Sequence, residues 1–140
     1  MSDNKPQPPN LDLINMVQQA RMMHDREAFP SSMSAMYWIE SKPLVSVPAV
    51  TPRAGEWLIE TSAAEVDALW VKIRQATEEG HLGYKSKVST SAAKGQAQAS
   101  ARLIVVRTYD ADDSADVLRI QTVLRDMGIT SMQYERIEKS

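Results

Sequence analysis

Cysteine is absent from the 140 residues of this chain, so disulfides, thiol nucleophiles and cysteine-based metal sites are excluded together. Histidine is scarce as well. His24 and His81 lie far apart and in no metal-binding spacing, so we expect no metal and no cofactor. The net charge of -2 gives no general attraction to duplex nucleic acid or anionic lipid, so any anion site must be local.

Long apolar runs are also missing. No stretch approaches the roughly 18 residues that a membrane span requires. Residues 1–10 contain three of the seven prolines and lack the apolar segment of a signal peptide. We therefore expect a cytoplasmic protein with no membrane contact. Hydrophobic residues still make up 43% of the chain, which is enough to close one compact core.

The N-terminal part of the chain is predicted to have little regular structure. We interpret residues 1–10 as a disordered tail, and residues 11–55 as a helix, an edge strand near Met36–Glu40 and a proline-rich crossing. The helix is predicted for Leu11–Ala28, where apolar residues recur at helical spacing. Four methionines fall in the N-terminal third of the chain, namely Met16, Met22, Met23 and Met33. We interpret them as gap-filling core residues, with a surface for a protein partner on the N-terminal helix as the alternative.

Residues 56–137 are predicted to form an α+β core within the same single domain. Strand-like runs of branched and aromatic residues alternate with two helical stripes in the order β-α-β-β-α-β. Ser62–Glu65 has the spacing of a capping box, and Gly80 and Gly128 suit the left-handed ends of the two helices. This order favours an antiparallel or mixed sheet with both helices packed on one face.

Two lysines carry the main chemical signal. In an extended Tyr84–Thr90, Lys85 and Lys87 project to one side of the strand. A hairpin with Ala101–Tyr109 would bring Arg102 or Arg107 beside them; which arginine joins depends on the register, because a slip of one residue exchanges the faces. Such cations suit phosphate. The alternative is an ordinary solvated face whose charges discourage aggregation.

Other residues could complete this site. Tyr109 could join the cations, and Trp38 or Trp57 could stack on a base, although core packing is the alternative for both tryptophans. Neighbouring cations or burial would lower the pKa of Lys87 and make it a candidate base, with His81 as a candidate acid. We therefore expect a basic groove that binds a phosphorylated peptide or a nucleotide.

Several short runs resemble a known family. They are Trp57-Leu-Ile, Val66-x-x-x-Trp70-x-x-Ile73, Gly80-x-Leu-Gly83, Lys85-x-Lys-Val-Ser89, Ile104-Val-Val-x-x-Tyr-Asp110, and Leu118 followed by Gly128-Ile129. Together they resemble the conserved-domain family of the basophilic leukemia expressed protein, over about residues 56–134. The resemblance implies a fold like that of the cap-binding translation initiation factor. Bacterial members of this family are often labelled phosphothreonine lyases, on the grounds of likeness.

The lyase label implies specific roles. In phosphothreonine lyases a lysine in a Lys-Val-Thr stretch removes the α-proton, an upstream histidine protonates the departing phosphate, and basic residues hold it. Lys87-Val-Ser89 is similar to the lysine stretch, whereas Leu58 stands where the histidine is expected. Without a general acid, elimination slows by about 10²- to 10⁴-fold. Phosphate binding is therefore the leading expectation, and lyase-like elimination is the alternative.

Overall fold

The computed structural model describes Pro30 and residues 37–137. Within them the chain forms five strands and two helices, which are β1 (Trp38–Ser41), β2 (Gly55–Ser62), α1 (Val66–Glu78), β3 (Lys85–Ser89), β4 (Ala101–Thr108), α2 (Ser114–Asp126) and β5 (Gln133–Arg136). The helix predicted for residues 11–28, and the methionine surface on it, lie outside this range. Neither described helix is long and apolar enough to cross a membrane.

The five strands form one antiparallel sheet in the order β1-β3-β4-β2-β5. Two local predictions are confirmed: β1 lies at the edge of the sheet formed by the described residues, and β3 pairs with β4 as a hairpin across the polar loop of residues 90–100. The predicted α+β class with a sheet and two helices is also confirmed, and the sheet is antiparallel throughout.

Both helices cover the same face of the sheet. Ser86, Val106 and Trp57 lie opposite one another on adjacent strands, so their side chains share a face. Helix α1 reaches this row through Thr77, whose hydroxyl lies 2.7 Å from that of Ser86. Helix α2 reaches it through the carbonyl of Val117, which accepts a hydrogen bond from Trp57 Nε1. The opposite face of the sheet carries neither helix, and we call it the open face.

The start of α1 corrects one prediction. The capping box at Ser62–Glu65 is wrong, because Ser62 is still the last residue of β2, paired with Ala101, and the helix begins at Val66. Ser62 contributes its carbonyl instead, which accepts a hydrogen bond from the backbone N–H of Glu65. The far end is as predicted: Gly80 follows the helix with a φ of 83°, a backbone conformation that favours glycine.

Candidate functional site on the open face

Two of the cross-strand rows of side chains on the open face contain the cations, and a further row contains Trp38 and Glu60. Because side chains alternate along a strand, the residues between those that face the helices point to the open face. The register fixes their order across the sheet: one row is Glu40, Lys87, Val105, Leu58 and Gln133, and the next is Lys85, Arg107, Glu56 and Glu135. Cations therefore occupy β3 and β4 in the middle of the sheet.

The register of β3 against β4 shows which arginine lies beside the lysines. Arg107 lies directly opposite Lys85, and its positive charge acts on Lys87. Arg102 lies on the helix-facing side, where it is buried and its Nη1 donates hydrogen bonds to the carbonyls of Ala99 and Ala101. Arg107 therefore belongs to the open face, and Arg102 holds the end of the loop that precedes β4.

Of the three cations that the described residues place on the open face, two have carboxylate partners. Lys85 Nζ lies 3.4 Å from Glu40 Oε1, and Arg107 Nε lies 3.3 Å from Glu56 Oε2. These pairs are partly exposed, so each contributes at most about 1 kcal/mol to stability. A ligand with more negative charge than one carboxylate could therefore displace either partner at modest cost.

Lys87 is different. Its ammonium lies 4.4 Å from the centre of the Trp38 ring, and within the described residues no carboxylate oxygen is at salt-bridge distance from it. Partial burial lowers the pKa of Lys87, and the nearby charge of Arg107 lowers it further, while Glu56 and Glu40 act in the opposite sense. The result is a partly buried cation beside a second cation, which is an arrangement that an anion would stabilise.

The remaining sequence candidates lie elsewhere. Trp57 packs in the core on the helix-facing side, and its ring contacts that of Tyr134 at a centroid distance of 4.9 Å. Tyr109 is buried at the end of β4, against Tyr84, at a centroid distance of 6.2 Å. Burial raises the pKa of the Tyr109 hydroxyl, and the charge of Asp116 on α2 adds to the effect. Both aromatic rings therefore support the fold and lie apart from the lysines.

His81 also lies away from Lys87. It follows α1, its side chain is 61% exposed, and its Nε2 lies 3.3 Å from a carboxylate oxygen of Glu79. The carbonyl of His81 accepts a hydrogen bond from Arg119 on α2. Leu58, in contrast, lies in the same row as Lys87, two strands away. Within the described residues, no histidine side chain stands on the open face.

Sequence reasoning missed the carboxylates of this site. Glu40 and Glu56 lie on strands far from β3 in sequence, and only the pairing of β1 with β3 and of β2 with β4 brings them beside the cations. Their alternation with buried Ile39 and Trp57 could have placed them on the open face. Their partners could not have been assigned without the register.

Comparison with known proteins supports the architecture. A family model described as basophilic leukemia-expressed protein Bles03 matches residues 44–138. Two crystal structures of eIF4E-3 from Ascaris suum have the same fold, one in complex with the m2,2,7G cap and the other with the m7G cap. Each is 15% identical and covers 89% of this chain and 75% of the other, with TM-scores of 0.57 and 0.55 respectively. No curated protein matches the chain.

Proposed function

This chain belongs to the family of the basophilic leukemia-expressed protein Bles03, and we propose that it is a binding domain for a phosphate-bearing ligand, either a phosphorylated peptide or a nucleotide. The observation that carries the proposal is the environment of Lys87. This cation is partly buried beside Arg107, and within the described residues it has no carboxylate partner. A phosphate at Lys87 would supply the missing negative charge.

The neighbouring side chains can share such a ligand. Arg107 offers a planar donor fork to phosphate oxygens, and Lys85 adds a second ammonium on the same strand as Lys87. Both would exchange a partly exposed ion pair for contact with a more highly charged group. An aromatic ring in the ligand could take the place that Lys87 holds on Trp38, and Lys87 would then turn toward the phosphate.

A titration with a matched control tests this proposal. The probes are a phosphothreonine peptide and guanosine monophosphate, each with its unphosphorylated counterpart, and binding is measured by calorimetry. Lys87→Gln should weaken binding of the phosphorylated probes about tenfold, because a charge-assisted hydrogen bond is lost. Lys94→Gln should bind like the wild type, since Lys94 is exposed in the loop between β3 and β4. Equal binding by all three proteins would refute the proposal.

Trp38→Ala distinguishes the two classes of ligand. Stacking of a base on an aromatic side chain contributes about 1–3 kcal/mol, so a nucleotide should lose roughly tenfold or more in affinity. A phosphopeptide that uses only the cations should keep its affinity. An unchanged nucleotide affinity would leave the phosphopeptide as the ligand.

Phosphothreonine elimination is the second candidate, and the lowered pKa of Lys87 favours it because a base must be able to lose its proton. Within the described residues the acid is missing: Leu58 stands in the Lys87 row, and His81 lies beyond α1. Mass spectrometry of a phosphothreonine peptide would reveal loss of phosphoric acid. Leu58→His, which places an imidazole about 10 Å from Lys87 across two strand spacings, should increase that loss. An unmodified peptide with both proteins would exclude elimination.

A further inference from the structure

Part of β2 has an open hydrogen-bonding edge. This strand has eight residues, but β5 has four and pairs only with residues 55–58. In an antiparallel sheet, alternate residues of a strand direct their N–H and C=O groups to the same neighbouring strand. The carbonyl of Ala54 accepts a hydrogen bond from the N–H of Ile137, so the backbone groups of Ala54, Glu56 and Leu58 point toward β5. Glu60 is the next such residue beyond the end of β5. Within the described residues, its N–H and C=O have no strand partner on that side.

A cavity of about 330 Å³ lies beside this edge. Its apolar lining comes from β2, from α1 and from the segment between α2 and β5, and includes Ile59, Leu69, Met127 and Ile129. Polar side chains line the cavity as well, among them Thr61, Glu65 and Lys72.

We propose that the free edge of β2 binds an extended peptide segment of another protein as a sixth strand. The backbone of the peptide would pair with the N–H and C=O of Glu60. Side chains alternate, so the peptide residue opposite Glu60 would lie on the open face, where a lysine or arginine would meet the exposed carboxylate. The next residue, opposite Thr61, would enter the cavity with a branched apolar side chain. This proposal is independent of the phosphate site at Lys87.

Charge argues against a second copy of this chain as the occupant. Two β2 edges joined antiparallel around Glu60 would bring both Glu60 carboxylates to adjacent positions on the same face. Like charges directly opposite each other on a sheet are destabilising. The edge therefore selects a segment with a cation at the position that faces Glu60.

The test uses the isotopically labelled full chain and two acetylated octapeptides, one alternating valine with lysine and the other alternating valine with glutamate. In NMR titrations the lysine peptide should shift the amides of residues 59–62 and 128–131. It should bind about three- to tenfold more tightly than the glutamate peptide, as expected for opposite charges on facing strands. Glu60→Lys should reverse this preference. Glu135→Lys, on the open face of β5, should retain it.

Several results would overturn the proposal. They are amide shifts confined to β1 or the outer side of β5, equal affinity for the two peptides, reversal by Glu135→Lys in place of Glu60→Lys, and no shifts at millimolar peptide. Sedimentation of the free protein as a dimer with residues 59–62 protected from hydrogen exchange would show a second copy on the edge. The phosphate titrations at Lys87 would be unaffected by any of these results.

Discussion

The buried hydrogen bond between Thr77 on α1 and Ser86 on β3 provides a sharp test of which sheet face carries the lysines. Both residues are fully buried, and their hydroxyl oxygens are 2.7 Å apart. Thr77 Oγ1 also lies 2.7 Å from the carbonyl oxygen of Ile73, which can only accept. Thr77 therefore donates its single proton to Ile73, and Ser86 must donate to Thr77.

This direction makes the two single substitutions unequal. Thr77→Val leaves the Ser86 hydroxyl buried without an acceptor, which should cost about 2 kcal/mol in the free energy of unfolding. Ser86→Ala removes the donor and leaves the bond from Thr77 to Ile73 intact, so it should cost about 1 kcal/mol. The double variant lacks both hydroxyls, so no buried hydroxyl is left without a hydrogen-bond partner. Its cost should be about 2 kcal/mol, roughly 1 kcal/mol less than the sum of the two.

Urea unfolding followed by tryptophan fluorescence measures these differences. Thr122→Val is the matched control, because Thr122 Oγ1 makes the same type of bond, to the carbonyl of Leu118, on the exposed side of α2. It should change stability by less than about 0.5 kcal/mol. Strict additivity, or a larger cost for Ser86→Ala than for Thr77→Val, would refute the packing of α1 on β3. The assignment of Lys87 to the open face would fall with it.

Three further predictions concern single sites. A Cβ on Gly83 would lie 1.5 Å from the carbonyl oxygen of Arg107, so Gly83→Ala should destabilise the fold by about 3 kcal/mol or more in urea unfolding. An equally stable variant would contradict the close approach of Gly83, which precedes β3, to the backbone of β4. The hydrogen bond from Arg53 lowers the pKa of Asp110, so this carboxylate stabilises the fold above its unfolded pKa, near 3.8, and the contribution is lost as the pH falls through the folded value. Arg53→Gln should raise that pKa toward 3.8 in a carboxyl-carbon NMR titration, and an unmoved pKa would contradict the pairing. For Lys87 the folded pKa is lowered, so its charge disfavours folding below that pKa, and this cost disappears as the pH rises toward 10.5. A bound phosphate should raise the pKa of Lys87 in NMR of its side chain, and no rise on saturation would place the ligand elsewhere.

Local sequence patterns were sufficient for the order of the strands and helices that the structure describes, because their signals act over a few residues. Alternation placed Lys85 and Lys87 on one side of β3, and the polar loop after β3 indicated the hairpin. The arginine could not be assigned, since Arg102 and Arg107 differ by an odd number of residues and so lie on opposite faces of β4. Only the register of β4 against β3 decides between them.

Positions that depend on distant partners were beyond prediction. Trp38 and Trp57 both lie on strands with mixed burial, yet Trp57 faces the helices and Trp38 faces Lys87. Their roles depend on which side of the sheet the helices occupy, and that is a property of the whole fold. The capping-box prediction failed for a similar reason, since pairing of Ser62 with Ala101 extends β2 at the expense of the helix.

The order of charges across the open face connects the two binding proposals. In the row that begins with Lys85 and Arg107, the next residues are Glu56 and Glu135, so like charges stand directly opposite each other twice. Such pairs are destabilising, and an alternating order would avoid the cost. The clustered order gives the face a positive half over β3 and β4 and a negative half over β2 and β5, where Glu60 extends the negative charge to the free edge. The positive half attracts an anion, and the negative half attracts a cationic strand. The two ligands should therefore bind without competing. Both affinities should fall as salt is added, because salt screens the charges.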